Sequence, residues 1–196
     1  MIELGRDLCS NLAVSSRREW LVTNGLGGYA SGTVSGVPTR RYHGLLVAAL
    51  NPPLGRTLLV PKLEEWVEYR GRLFPMGANR WASGAVEPRG FLLLDRFHLE
   101  GTTPVWTYAL ADAILTKRVW MEPGANTTYV RYDLPRAGSP VTLELAAMVD
   151  YRDYHGNTRA GGWTMAVDSI PHGVRVTAFS GARPFFLLCE RADTYQ

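Results

Sequence analysis

An all-β fold, an antiparallel β-sandwich built by residues 1–196 as a single domain, is the architecture this sequence predicts. Three observations predict it. Apolar and polar residues alternate over short runs, most cleanly in the second half. The runs are broken by turn formers, among them 20 Gly and 12 Pro, which limit helix length. No stretch carries a helical period through three turns. Many short strands at close spacing are the pattern of packed antiparallel sheets.

The elements follow in chain order. Segment 45–50 (LLVAAL) reads as a buried strand, and 57–60 (TLLV) as another, stopped by Pro61. Segment 63–74 reads as a hairpin turning near Arg70-Gly71. Segments 91–99 (FLLLDRFHL) and 105–110 (VWTYAL) are strand-like, and in 113–121 charged and apolar residues interleave. In 127–133, Thr128, Val130 and Tyr132 share one face, with Tyr129 and Arg131 on the other. In 141–146, Val141, Leu143 and Leu145 point one way and Thr142 and Glu144 the other. Trp163, Met165 and Val167 repeat the pattern, as do Val174, Val176 and Ala178, and 185–189 (FFLLC) reads as a last buried strand.

Composition narrows the function classes. Hydrophobic residues make up 46% and charged residues 20%, which is globular rather than disordered. The net charge of +3, with a pI near 9.0, is spread along the chain without a basic stripe, which argues against nucleic acid as a partner. No apolar run reaches membrane-spanning length and no basic start leads into one, so a soluble, cytoplasmic protein without a membrane partner is expected. Cys9 and Cys189 lie near opposite ends without metal-ligand spacing; two thiols are favoured over a disulfide.

The stretch from Glu19 to Leu50 is the unusual one. Asn24-Gly25 and Gly27-Gly28, with Tyr29, sit between apolar groups, and Gly32 and Gly36 follow. Such density permits positive φ and close backbone approach. A phosphate-binding loop is not matched: Gly-Lys-Ser/Thr is missing, and no spaced Gly triplet leads from a strand into an amphipathic helix. Tight turns between strands account for the glycines. Next come Arg40, Arg41, Tyr42 and His43, where two guanidiniums, a phenol and an imidazole meet at a strand entrance. Such a group either binds a ligand or forms a salt-bridged corner with Glu19, Glu64 or Glu65.

These residues also carry a resemblance. The run 20–29 (WLVTNGLGGY), Ala30-Ser31-Gly32-Thr33 and 39–46 (TRRYHGLL) resemble the N-terminal domain of the bacterial and archaeal glycogen debranching enzyme family, the amylo-alpha-1,6-glucosidase type. The resemblance continues through Asn51-Pro52-Pro53, Gly55-Arg56, Lys62-Leu63-Glu64-Glu65, Pro88-Arg89-Gly90, Trp106, Tyr108, Asn126-Thr127-Thr128 and Arg152-Asp153-Tyr154-His155. It covers nearly the whole chain in order. It implies a glucoamylase-like β-supersandwich followed by a catalytic (α/α)6 toroid. The 196 residues do not supply that toroid, so the chain reads as a fragment of a longer protein.

The resemblance attributes hydrolysis to acidic residues of the helical domain, so no catalytic residue, cofactor or metal site is assigned to this chain. Glycosidic hydrolysis needs two carboxyl groups across the bond. Glu64 and Glu65 are adjacent and point to opposite faces of a strand, and Asp150 and Asp153 would have to meet across a bend. Asp153 and His155 would share a face if extended, which is still one ligand short of a typical catalytic zinc site. Among His43, His98, His155 and His172 there is no HExxH.

Sugar recognition is better supported, because sugar faces stack on Trp and Tyr. Most of the six Trp suit a core equally well. Trp81, in the loop-like GANRWASGA, is the best platform, followed by Tyr29 and Tyr154-His155. The candidate substrate- or interface-contacting residues are therefore Asn24, Gly27, Gly28, Tyr29, Arg40, Arg41, Tyr42, His43, Trp81, Arg152, Asp153, Tyr154 and His155. The leading expectation is a non-catalytic domain that supports and positions the C-terminal catalytic domain of the same enzyme, with branched alpha-glucan as a further partner. An autonomous alpha-glucan-binding module and a purely structural interdomain scaffold are the alternatives.

Overall fold

The computed structural model describes residues 2–159, 161 and 163–190. In chain order the elements are β1 (Glu3–Gly5), α1 (Arg6–Cys9), α2 (Leu12–Ser15), β2 (Glu19–Thr23), β3 (Tyr29–Thr33), β4 (Gly44–Asn51), β5 (Leu54–Val60) and β6 (Lys62–Tyr69). Then follow β7 (Arg72–Pro75), β8 (Ala78–Arg80), β9 (Val86–Arg89), a 3-10 turn (Gly90–Leu93), β10 (Leu94–Glu100), β11 (Thr103–Leu110) and β12 (Ala113–Met121). The chain continues through β13 (Thr128–Arg136), β14 (Val141–Met148), β15 (Arg152–Asp153), β16 (Ala166–Ile170), β17 (Gly173–Thr177) and β18 (Phe185–Leu188). Both α-helices are single turns. Among the described residues no helix is long and apolar enough to cross a membrane.

Every strand pairing is antiparallel. The strands form two five-stranded sheets, β1-β10-β11-β12-β13 and β15-β5-β4-β3-β2. Two three-stranded sheets, β14-β6-β7 and β16-β17-β18, and the ribbon β8-β9 complete the set. The all-β expectation holds, but the sandwich does not. The sheets are arranged as a four-bladed β-propeller, not as two facing layers, so the implied supersandwich is corrected as well. The reason is physical. Alternation reports that a strand has one buried face, not which other sheet covers it.

Local patterning is reproduced strand by strand. The 63–74 hairpin turns at Arg70 (φ 52°) and Gly71 (φ 69°), two left-handed residues that match the twist of the flanking strands. β12 coincides with the expected 113–121 run. In β13, Thr128, Val130 and Tyr132 are half-buried while Tyr129 and Arg131 are exposed. Four expectations fail in part, the first at Leu145 of β14, which is exposed although it shares a face with Val141 and Leu143. Residues 90–93 coil into the 3-10 turn before β10 begins. Trp163 and Met165 precede β16, in which Val167 is exposed. In β18 only Phe185 is buried, and Phe186 and Leu188 lie open at the edge of their sheet.

The core joins the inner faces of the sheets. Trp106 of β11 packs edge-on against Trp20 of β2 (centroids 5.3 Å apart) and Phe97 of β10 (5.2 Å), and its indole N–H donates to the Val34 carbonyl at 3.0 Å. Beside it, Glu65 of β6 is buried and accepts from Lys117 of β12 at 2.5 Å and from the Tyr132 hydroxyl of β13. Burial, reinforced by the Glu65 charge, pushes the Tyr108 and Tyr132 phenols well above their ordinary range, so both stay protonated. Cys9 is a buried thiol that donates to the Leu4 carbonyl, and burial raises its pKa to about 11.

Candidate functional site

The Gly-rich turn between β2 and β3 is organised by one side chain. Asn24 is buried, and its Oδ1 accepts from the backbone N–H groups of Leu26 (2.9 Å) and Gly28 (3.0 Å). Its amide donates to the Ala125 carbonyl and to Asn126 Oδ1, both at 3.0 Å, while its own carbonyl accepts from Gly124 N–H. Asn126 in turn brackets Ala49 of β4, accepting from its N–H and donating to its carbonyl. Glycine is required in this turn. A Cβ on Gly28 would meet the Asn24 and Asn126 side chains at 2.6 and 2.7 Å; Gly27, at φ 96°, would meet the Pro53 carbonyl oxygen at 2.7 Å. Asn24, Gly27 and Gly28 are thus the turn's framework, which supports Tyr29 beside them.

The Arg-Arg-Tyr-His turn splits into two halves. Arg40 pairs with Glu19 at 2.7 Å, and His43 Nε2 lies 3.4 Å from the same oxygen. His43 Nδ1 accepts from the Thr39 N–H at 3.2 Å, which leaves Nε2 as the protonated nitrogen of a neutral ring facing Glu19. Burial lowers the His43 pKa, against an opposing pull from Glu19. The salt-bridged corner expected from sequence is therefore real for Arg40 and His43, with Glu19 as its carboxylate.

Arg41 and Tyr42 turn the other way, toward the segment after β15. Arg41 donates to the His155 carbonyl at 2.9 Å, and the Tyr42 hydroxyl lies 3.1 Å from His155 Nδ1. Arg152 answers from the other side. Its guanidinium donates to the Arg41 carbonyl (2.6 Å), to the carbonyls of Asp153, Tyr154 and Gly156, and pairs with Asp150 at 3.2 Å. The Tyr154 ring lies tilted against those of His155 (centroids 3.9 Å apart) and Tyr42 (5.5 Å). The Tyr29 hydroxyl donates to the Tyr42 carbonyl. Burial raises the Tyr29 pKa, against an opposing pull from Arg56. The result is a clamp that carries an aromatic cluster of Tyr29, Tyr42, Tyr154 and His155 reaching across the β15-β5-β4-β3-β2 sheet, from β3 to the turn after β15.

Arg56 completes this clamp and was not among the candidate site residues. It donates to the Gly27 carbonyl at 2.7 Å, and its guanidinium lies 5.5 Å from the Tyr154 ring centroid. The signal was present as Gly55-Arg56 in the resembling runs, but nothing in its spacing tied it to Gly27 or Tyr154. Trp81 stands apart. It lies 58% exposed between β8 and β9, with its indole N–H donating to the Glu87 carbonyl at 3.0 Å. No hydrogen bond or ring contact joins it to the clamp among the described residues.

Carboxylates are engaged elsewhere. Glu64 accepts from Lys62 (3.0 Å) and Asn79 (2.8 Å) on the face of β6 opposite to Glu65. Asp150 is held by Arg152 and Thr158. The extended Asp153–His155 arrangement is corrected: β15 ends at Asp153, and Asp153 Oδ1 accepts from the His155 N–H in a turn. No group of three His, Cys, Asp or Glu residues able to hold a metal occurs among the described residues.

The model of one protein family, described as glycogen debranching enzyme N terminal, matches residues 18–196. No curated protein and no solved structure matches the chain.

Proposed function

The chain belongs to the glycogen debranching enzyme N-terminal family, and from that premise we propose that it is a non-catalytic domain that positions the catalytic domain of a cytoplasmic glycogen debranching enzyme. That partner would hydrolyse alpha-1,6-glucosidic branch linkages. The observation that carries the reading is the family match over residues 18–196, together with the clamp that groups Tyr29, Tyr42, Tyr154 and His155. In the clamp the guanidiniums of Arg41, Arg56 and Arg152 are spent on backbone carbonyls. They fix the rings in place rather than standing ready for a reacting group. A rigid aromatic surface with hydroxyl and imidazole edges suits an interdomain contact or the rim of a sugar cleft.

The test is association. The chain is titrated, by calorimetry, against a separately produced helical catalytic domain of a debranching enzyme. Saturable binding that Tyr42→Ala and Tyr154→Ala weaken is the expected result. Wild-type chain that neither binds the helical domain nor alters its debranching rate would remove the reading. The autonomous glucan-binding alternative has one specific observation in its favour, the exposure of Trp81. Loss of maltooligosaccharide binding in Trp81→Ala would favour it.

A further inference from the structure

The outer face of the β1-β10-β11-β12-β13 sheet carries a second arrangement of rings and charges, remote in sequence from the clamp. Trp120 of β12 and Tyr129 of β13 are directly opposed across the two strands, and their rings stack at 5.2 Å with 18° between planes. β13 is the last strand of its sheet. Tyr129 therefore has the indole on one side and the open edge on the other, and it remains 43% exposed. The indole holds the phenol upright, so a ligand stacking on Tyr129 does not have to order it first.

Tyr129, Arg131 and Asp133 alternate along the same face of β13, about 7 Å apart at each step. Arg131 pairs with Asp133 at 2.8 Å, and Asp133 also receives Arg118 at 2.9 Å. Arg118 reaches on to Glu100 at 3.1 Å. That contact holds the Glu100 carboxyl below its usual range. Thr116, Arg118, Arg131, Asp133 and Pro135 line a shallow depression open to solvent.

We propose that this face is a binding surface for an alpha-glucan chain, with one hexose ring stacked on Tyr129 and the next hydroxyls received by Arg131 and Asp133. Two features select a neutral polyhydroxylated ligand. The charges are paired with each other, Arg118 and Arg131 against Glu100 and Asp133, so the face presents matched donors and acceptors rather than a field for an anion. The ring and the depression are offset along the strand, which suits a ligand of several sugar rings. The choice of alpha-glucan rests on the family reading above. The surface is distinct from the clamp, since it lies on a different sheet and uses none of its residues.

The experiment titrates the chain with maltoheptaose, following tryptophan fluorescence and calorimetric heat in parallel. Wild type is expected to saturate with a change in Trp emission; Tyr129→Ala and Arg131→Ala are each expected to bind at least about tenfold more weakly. Leu73→Ala, exposed on β7 and part of neither cluster, should bind as wild type does. Circular dichroism and thermal melts verify that each variant is folded. Wild-type affinity in both Tyr129→Ala and Arg131→Ala would overturn the proposal, as would binding lost in Tyr154→Ala instead. No saturation by wild type up to about 10 mM ligand would overturn it too, and the interdomain reading would still stand or fall on its own association test. A dimer in light scattering that Tyr129→Ala dissolves would mean that this edge meets a second copy of the chain, and would also overturn the proposal.

Discussion

Glu65 and Arg152 each organise a polar cluster, but Glu65 is satisfied by side chains alone, whereas Arg152 divides its donors between the buried Asp150 carboxylate and the main-chain carbonyls of two turns. The difference decides what each cluster can tolerate. Glu65 and Lys117 have both left water, and each depends on the other for its charge to be bearable. Arg152 holds together two turns whose carbonyls water can reach, but its loss also leaves the buried Asp150 carboxylate to the Thr158 hydroxyl and the Tyr151 N–H. An interior pair links three strands from two sheets (β6, β12 and β13). The clamp fixes two turns, 40–43 and 152–156, against each other.

The comparison can be broken most sharply at Glu65. Replacing it with Ala leaves the Lys117 ammonium buried without its counter-charge and is expected to cost about 3–5 kcal/mol in chemical denaturation. Replacing Glu65 and Lys117 together by Leu and Met should recover most of that loss; no recovery would mean that the pair does not act as a unit. The next effect is at the buried amide: Asn24→Ala should cost about 1–3 kcal/mol, because Gly28 N–H and Asn126 lose their partner in the interior. At the clamp, Arg41→Ala should cost only about 1 kcal/mol globally, because the His155 carbonyl it leaves is near solvent. Its amide hydrogen exchange should quicken in 151–156 and 40–44 while the Trp106 core stays protected. A global loss as large as that of Glu65→Ala would erase the distinction between the two clusters.

A smaller effect follows from His43. Its folded pKa lies below the ordinary 6.5, so the unfolded chain takes up the proton first. The stability it contributes is present above 6.5 and is lost as pH falls through that value toward the folded pKa. Melting temperature should therefore decline as pH falls below the ordinary 6.5, and His43→Gln should flatten part of that decline. A slope unchanged in the variant would mean that other groups control it. The smallest change expected is Tyr42→Phe, within about 0.5 kcal/mol, since the hydroxyl lost at His155 is near solvent.

How much of this could be read from the chain depends on distance along it. The hairpin at Arg70-Gly71 and the faces of β13 are written in neighbouring residues, and they were legible. The Arg40–His43 corner was legible as a choice among three carboxylates, and only the fold selected Glu19. Tyr42 meets His155 across 113 residues, and the propeller arrangement is set by contacts of similar span. Period-2 alternation carries no information about such partners. Trp120 looked like any other core indole because its stacking partner lies across a turn, on a strand whose outward face reads simply as wet. Arg56 was hidden for the same reason: its acceptor is a backbone carbonyl, which has no side chain to announce it.

The Asn24–Asn126 pin has a kinetic side. Its two ends are 102 residues apart, and Asn126 is also tied to Ala49 over 77. Neither contact returns anything until a loop of that length has closed, so the chain must spend its entropy before the pin rewards it. Folding should accordingly fall in roughly the millisecond-to-second range typical of all-β topologies. If the Gly-rich turn is ordered only after the core, Asn24→Ala should speed unfolding far more than it slows folding.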